Sequence, residues 1–200
     1  MRNSANIRGG LQHIYDVKNM NTNDSLAEHF LKHCCSRLEV LSSWADDCLG
    51  RLTYDQLWWR AGEAQNAIGN LVLHLCGNVS QRVTSALSSN TPDTRDRDRE
   101  FDSRSCATPA ELRELLKAAV AEATATLRCF PPDRLLERAQ IPYYERSVMQ
   151  NIFAVVEHFA QHTGQIMFAT KQLTHQELDY YPHLKRKKAS RSQRNRPGRY

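Results

Sequence analysis

The chain has 200 residues, enough for one compact domain with tails and too few for a second catalytic domain. Hydrophobic residues make up 40% and charged residues 24%, which excludes a wholly disordered chain, a fibrous repeat and a membrane protein. The net charge of +5 comes from residues 185–200, which hold eight of the 27 Lys and Arg and no acid. The other 184 residues carry 19 basic and 22 acidic groups, a net charge of −3. The body therefore lacks the surplus of positive charge that is typical of a nucleic-acid-binding domain.

The sequence shows no targeting or membrane segment. No window approaches the ~20 apolar residues of a membrane helix, and residues 1–20 lack the apolar stretch of a signal peptide. We therefore expect a cytoplasmic protein. Its six cysteines form no CxxC pair and are expected to stay reduced, without disulfides, mostly as small core residues.

The first helix signal follows an N-terminal extension, residues 1–23, that we expect to be flexible. Ser25 and Glu28 form a capping box, and apolar residues then recur at helical spacing, which predicts a helix over 25–49. A short turn at 52–59 follows, with Thr53 able to begin a helical segment.

The second long helix is predicted over 63–88, because this segment is apolar around much of its circumference and stops before Pro92. The run at 92–105 is too highly charged for a core and is predicted to be a loop that crosses between helices. On an extended loop, its alternating Arg95, Arg97 and Arg99 would lie on one side and the acids on the other.

The third and fourth helices also have clear beginnings. Thr108 and Glu111 form a capping box around a proline at the first helical position, which predicts a helix over 109–130. Ser147 begins the fourth, over 147–173. Since no strand pattern of useful length occurs, we expect an all-α fold, a four-helix bundle over residues 24–184 followed by a disordered basic tail at 185–200.

A stripe of polar residues interrupts the apolar second helix. Asn66, Asn70, His74 and Asn78 recur every four residues, so on a helix they form one continuous line. Buried polar groups cost roughly 1 to 3 kcal/mol each when unpaired. These four therefore need partners, which are one another, water or a bound group.

The fourth helix carries a matching set of polar residues. His158 and His162 are four residues apart on one face, close enough for both imidazoles to reach a single metal ion, and Gln165 follows them. His74 is the candidate third ligand. Three neutral imidazoles with an open fourth position are typical of a catalytic metal site, whereas structural zinc takes four protein ligands. The alternative is that the histidines are hydrogen-bonded core residues.

Other metal and nucleotide motifs are absent from the sequence. It contains no Glu-x-x-His, which di-iron bundles require, and no HExxH of a zinc protease. The phosphate-binding loop, the dinucleotide fingerprint and the GxSxG nucleophile motif are absent as well.

Four blocks of the sequence resemble the DinB/YfiT-like metalloenzyme superfamily, in particular a bacterial branch known only as a domain of unknown function. The resemblance covers about residues 24–184 and is carried by the segments Leu57 to Arg60, Asn66 to Asn78, Arg95 to Phe101 and Val156 to Gln165. It implies a four-helix bundle that holds a divalent metal through His74, His158 and His162. Many members carry a further histidine one turn before the last pair, where this chain has Ala154.

The resemblance also implies a class of chemistry. Characterised members are transferases and isomerases that use a low-molecular-weight thiol, and metal-dependent hydrolases. We therefore expect a metal-dependent enzyme, with thiol transfer to a small electrophile preferred and hydrolysis of small molecules as the alternative. Three imidazoles suit Zn, Ni, Fe or Mn, so the sequence does not select the metal.

Asn70, Asn78, Gln165 and Arg97 are the candidates for contacts around the metal or with the substrate. Members often form homodimers, but the sequence does not locate an interface. The non-enzymatic alternative is a helical interaction module that docks on nucleic acid or an acidic membrane through the tail at 185–200. This tail has no aromatic residue before Tyr200 to stack on bases, which argues against it as more than a weak nucleic-acid contact.

Overall fold

The computed structural model describes residues 24–88, 91–142 and 144–181. The predicted extension at 1–23 and the predicted basic tail at 185–200 lie outside the described residues. The described chain contains six α-helices and no strand: α1 (Leu26–Leu49), α2 (Tyr54–Trp58), α3 (Ile68–Val79), α4 (Arg97–Asp102), α5 (Pro109–Cys129) and α6 (Val148–Thr174). A π-helical segment, Ser80–Ser85, directly continues α3.

Side-chain caps begin the long helices at the residues where the sequence predicts them. Ser25, Thr108 and Ser147 each accept a hydrogen bond from the amide three residues on, and the Glu or Gln at that third position reaches back to the cap amide. These capping boxes satisfy backbone donors that the first helical turn leaves without partners. The predicted helix starts are therefore confirmed for α1, α5 and α6.

The four long helices form a bundle around one apolar core. α1 packs against α5 and α6, and α3 packs against the same two helices, so α1 and α3 lie diagonally opposite each other. Leucines from α1, α3 and α5, with Ile152, Phe159 and Ile166 from α6, are among the fully buried side chains. The predicted all-α bundle is confirmed. Its arrangement makes α3 and α6 neighbours, which brings the two polar sets into contact.

The predicted start of the second long helix is wrong by five residues. Residues 61–66 are exposed and largely irregular, and α3 begins only at Ile68, where the Asn70 side chain accepts a hydrogen bond from the Ala67 amide at 3.1 Å. The Trp58 ring packs on the first turn of α3, where a Cβ on Gly69 would lie 2.8 Å from the ring. The segment at 61–66 therefore finds no apolar surface there on which to continue the helix. Asn66 consequently lies outside the helical stripe.

The predicted crossing loop at 92–105 also differs from the structure. It contains α4, which begins where Asp96 accepts a hydrogen bond from the Arg99 amide at 3.0 Å. Helical spacing therefore replaces the extended alternation expected for its arginines. Glu100 in this helix is buried, which is tolerable because it is paired with Arg95 and His74. No described helix is both long and apolar enough to span a membrane.

Four of the six cysteines are buried in the bundle, and two are exposed, as free thiols. Burial raises the pKa of the Cys34 and Cys76 thiols to about 12 and that of Cys35 to about 11. A thiol with such a pKa holds almost no thiolate near neutral pH, and the thiolate is the reactive form.

We expect an aromatic disulfide reagent at pH 8 to modify Cys106 and Cys129 rapidly in the folded protein, and all six cysteines after unfolding. Reagent absorbance gives the number of thiols, and peptide mass spectrometry gives their positions. Rapid native modification of Cys76 would contradict the burial that the structure shows for it.

Candidate metal centre

Three histidines from two neighbouring helices meet beside a cavity, which His74 and His158 line. His74 lies in α3, and His158 and His162 lie one turn apart in α6. The Nε2 atom of His158 is 3.0 Å from Nε2 of His74 and 3.1 Å from Nε2 of His162. One ligand nitrogen from each residue falls in a cluster whose members all lie within 4.8 Å of one another.

These separations fit a single metal ion. Nitrogens bonded to zinc at 2.0 to 2.1 Å in a tetrahedral site lie about 3.3 Å apart. Both Nε2 distances to His158 are within a few tenths of an ångström of that value. The third pair of ligand nitrogens, those of His74 and His162, lies within 4.8 Å, so the group could hold one divalent ion after side-chain adjustment.

Glu100 determines which nitrogen of His74 faces this cluster. Its Oε2 atom lies 2.8 Å from Nδ1 of His74, so the imidazole donates its Nδ1 proton to the carboxylate. The Nε2 lone pair is then free and directed at His158. A carboxylate in this position is the usual outer partner of a metal-ligating histidine, because it holds the ring and makes the ligand nitrogen more basic.

Arg95 keeps the Glu100 carboxylate charged inside the protein. Its Nε donates to Oε1 at 2.7 Å and its Nη2 to Oε2 at 2.9 Å, a bidentate pair with both side chains buried. Burial acts to raise the pKa of Glu100, but the hydrogen bonds from Arg95 and His74 outweigh it and hold the pKa below its usual value. Arg95 Nη2 also lies 3.1 Å from Nδ1 of His74. Because that nitrogen already donates its proton to Glu100, this is a close contact between two donors and not a hydrogen bond.

Gln165 has the corresponding effect on His162. Its Oε1 atom lies 2.8 Å from Nδ1 of His162, and since an amide oxygen only accepts, Nδ1 carries the proton and Nε2 is the free nitrogen. The Nδ1 atom of His158 is buried without a hydrogen-bond partner. All three imidazoles thus direct Nε2 toward one point, while only His158 lacks an outer partner.

The environment also keeps the α6 imidazoles neutral. Burial, followed by repulsion from His162, His74, Arg82 and Arg95, lowers the pKa of His158 to about 3. Burial also lowers the pKa of His162, against a hydrogen bond to Gln165 that acts to raise it. Neutral imidazole is the form that binds a metal, so the folded chain has little proton competition for its ligands near neutral pH.

We expect metal-free protein to lose stability as the pH falls from 7 to 5. The folded pKa of His158 is depressed, so below about pH 6.5 the unfolded chain binds a proton that the folded chain refuses, and the free energy of unfolding falls. Urea unfolding with a chelator present at several pH values measures the slope. The variant His158→Gln should show a slope smaller by up to about one proton. Equal slopes in the two proteins would contradict the neutral assignment.

The other candidates from the sequence divide into two groups. Asn78 and Arg97 line the cavity. Asn70 does not line it. Its amide donates to the carbonyl oxygens of Glu100 and Ser103 at 2.8 and 2.9 Å, and so ties the α4 segment to α3. Asn70 therefore acts on the centre only by positioning the segment that carries Glu100.

The cavity beside the histidines has a volume of about 1000 Å³. Cavities of this size lie at the upper end of the range for small-molecule sites, large enough for two small molecules side by side. Ala154, one turn before His158, lines it with a small side chain. The Phe101 ring lies 4.7 Å from the His74 ring, centroid to centroid, and covers the histidine from the α4 side.

Sequence reasoning did not identify Glu100 and Arg95 as partners of His74. They are distant from it in sequence, and the charged run that contains them resembles a solvated loop. One available signal was Gly77 in α3, because an ideal Cβ there would lie 1.9 Å from Oε1 of Glu100. A glycine within an apolar helix often indicates such a close approach of another group.

Comparisons with known proteins agree with the fold and leave the activity open. Residues 25–182 match the family described as Protein of unknown function (DUF1572). A search of curated proteins finds no match. A crystal structure of the conserved protein of locus from Enterococcus faecalis is similar, with a TM-score of 0.53 and 14% identity over 76% of this chain and 96% of that chain. At this identity the likeness shows the fold alone.

Proposed function

The chain belongs to the DUF1572 family, whose description gives no activity, and we propose from the site itself that it is a divalent-metal-dependent enzyme of the DinB/YfiT-like type. In this proposal His74, His158 and His162 are the metal ligands, and the metal is Zn, Ni, Fe or Mn. The observation that supports it most directly is the convergence of three Nε2 atoms at the wall of a large cavity.

The donor set favours a reactive ion over a structural one. A divalent ion held by three neutral imidazoles keeps its full charge and an open position, through which it lowers the pKa of a bound water or thiol. The chain contributes neutral ligands, outer partners on His74 and His162, and a cavity that reaches His158. No cysteine is among the three clustered ligands, as it commonly is in structural zinc sites.

The reaction we favour is transfer of a low-molecular-weight thiol to a small electrophile. In such a transfer the thiol gives up its proton to water and its sulfur forms a bond to the electrophilic carbon. The bond from that carbon to the leaving group, or to the ring oxygen of an epoxide, breaks at the same time, and its electrons stay on the departing atom. The cavity volume supports a reaction that needs both molecules at once. The resemblance of the four sequence blocks to a superfamily with thiol-dependent members supports the same class.

Cobalt substitution followed by turnover assays tests the proposal. We expect purified protein to take up about one ion per chain, as three imidazoles predict, and the visible spectrum of its Co(II) form to shift when a thiol is added. Turnover is measured with thiols of increasing size and a chlorinated aromatic or epoxide electrophile. No uptake of Zn, Ni, Mn, Fe or Co would contradict a metalloenzyme. Metal uptake with no response to thiols would contradict thiol transfer, and ester and amide substrates would then test hydrolysis.

A further inference from the structure

Three of the four arginines that line the cavity beside the histidines have no carboxylate partner within the described chain. Four arginines line it, and only Arg95 is paired, with Glu100. The other three, Arg82, Arg97 and Arg146, make no ion pair with any described acid. Such groups inside a ligand-sized cavity are available to a bound anion, since guanidinium binds carboxylate and phosphate through two parallel hydrogen bonds.

The acids that line the same cavity do not cancel this charge. Asp93 accepts hydrogen bonds from the Gln81 side chain at 2.7 Å and the Arg95 amide at 3.1 Å. Asp96 accepts from the backbone at the start of α4. These two, with Asp98 and Glu157, are all exposed, so that water screens their charges. Arg82 and Arg146 are half-buried, and their charges are screened less.

Arg82 and Arg146 are placed as a pair by one aromatic ring. Their guanidinium carbons lie 4.4 and 4.6 Å from the centroid of the Tyr144 ring, within the range of a cation–π contact. Arg82 comes from the π-helical segment that continues α3, and Arg146 from the residues just before α6. These two places adjoin α3 and α6, which carry the histidines, and both arginines line the same cavity as His74 and His158.

Arg82 also has a donor without a partner. Its Nε atom is buried and makes no hydrogen bond in the described structure. A buried donor without an acceptor destabilises the folded chain, and more so when the donor is charged. An oxyanion in the cavity would supply that acceptor. Arg82 and His158 line the same cavity, so an anion held by Arg82 shares that cavity with the centre.

From this arrangement we infer that the substrate carries an oxyanion group, a carboxylate or a phosphate, which Arg82 and Arg146 bind while the reacting part of the molecule faces His158. This inference rests on the proposed function, since it specifies the substrate of the same site. Arg97 lies over the Phe101 ring at 4.9 Å on the α4 side of the cavity, and because it is exposed, water screens its charge as it does those of the acids. A neutral electrophile would leave all three arginines unused.

Calorimetric titration of three probes into the full-length, zinc-loaded protein tests the inference. Benzoate and phenyl phosphate carry the two oxyanions, and benzamide is the neutral control of similar shape. We expect at least one charged probe to bind at least tenfold more tightly than benzamide. The stronger of the two identifies the oxyanion. The titration is repeated with metal-free protein, in which an anion cannot bind the ion directly, and the preference should remain.

Variants then assign the binding to the arginines. Arg82→Gln and Arg146→Gln should each weaken the preferred probe about tenfold or more, because each removes a hydrogen bond between charged groups. Arg134→Gln is the matched control, because Arg134 also lies over an aromatic ring, Phe130 at 5.6 Å, but does not line the cavity. It should change the affinity less than twofold. Two independent variants keep the test valid if one of them fails to fold.

The outcomes separate this inference from the proposed function. Equal binding of benzamide and both anions, or equal losses in Arg134→Gln and the two cavity variants, would overturn the inference and leave the arginines as packing groups around Tyr144. Zinc content, measured on the same samples, reports on the proposed function independently. Arginine-dependent anion binding by a protein that takes up no metal would support an anion site and contradict the metalloenzyme.

Discussion

Replacing His158 by alanine should remove the metal and leave the bundle folded. His158 is the central member of the cluster, with Nε2 atoms of the other two histidines at 3.0 and 3.1 Å, and without it only two separated imidazoles remain. Metal content by elemental analysis should fall from about one ion per chain to near none, since two imidazoles make a weak site. Thermal unfolding should stay cooperative, because apolar packing supplies most of the stability.

The matched control for this prediction is His33→Ala. His33 lies on α1, exposed, and does not belong to the three-histidine cluster. It should retain full metal content after the same purification. Retention of stoichiometric metal by His158→Ala would place the ion elsewhere in the protein and contradict the proposed ligand set.

Gly77→Ala should weaken metal binding although it changes no ligand. The added Cβ would lie 1.9 Å from Oε1 and 3.0 Å from Cδ of Glu100, and 3.1 Å from Nε of Arg95, so the carboxylate must move. His74 would then lose the acceptor that holds its Nδ1 proton and its orientation. Loss of such an outer partner typically costs 10- to 100-fold in metal affinity, and competition with a chelator of known affinity measures it.

The stability of the same variant is an independent readout. Alanine in place of glycine within a helix normally stabilises by about 1 kcal/mol through backbone entropy. Gly77→Ala should instead lower the free energy of unfolding, because the added Cβ displaces Glu100 from its buried ion pair with Arg95. Gly164→Ala in α6 is the control, since an added Cβ there meets nothing within 4 Å. That variant should be as stable as wild type or more stable, with unchanged metal affinity. Equal behaviour of the two glycine variants would show that Glu100 does not position His74.

Features that depend on neighbouring residues were predictable from the sequence. Capping boxes at Ser25, Thr108 and Ser147 satisfy the first amides of a helix with side chains only three residues away, so the helix starts follow from local chemistry. The pairing of His158 with His162 is likewise a property of one helix, because residues four apart share a face in any α-helix. The all-α class follows from the same periodicity.

The tertiary structure decided which distant groups meet. Helical periodicity places His74 on a polar line but does not say that α3 lies beside α6. The order of helices around a bundle depends on the packing of whole surfaces, and no local pattern encodes it. The late start of α3 has the same reason. The helix begins where the Asn70 side chain accepts from the Ala67 amide and the Trp58 ring packs on Gly69, and these contacts depend on the fold.

Glu100 shows the difference most clearly. By itself the charged run at 92–105 indicates a solvated loop, because isolated carboxylates remain in water. In the folded chain, Arg95 and His74 supply three hydrogen bonds to this carboxylate, and Gly77 leaves the space for it. Burial of a charge is tolerable only when all of these partners are present at once. The sequence by itself determined the three capped long helices and the α6 histidine pair, whereas packing alone could bring together the residues that complete the site.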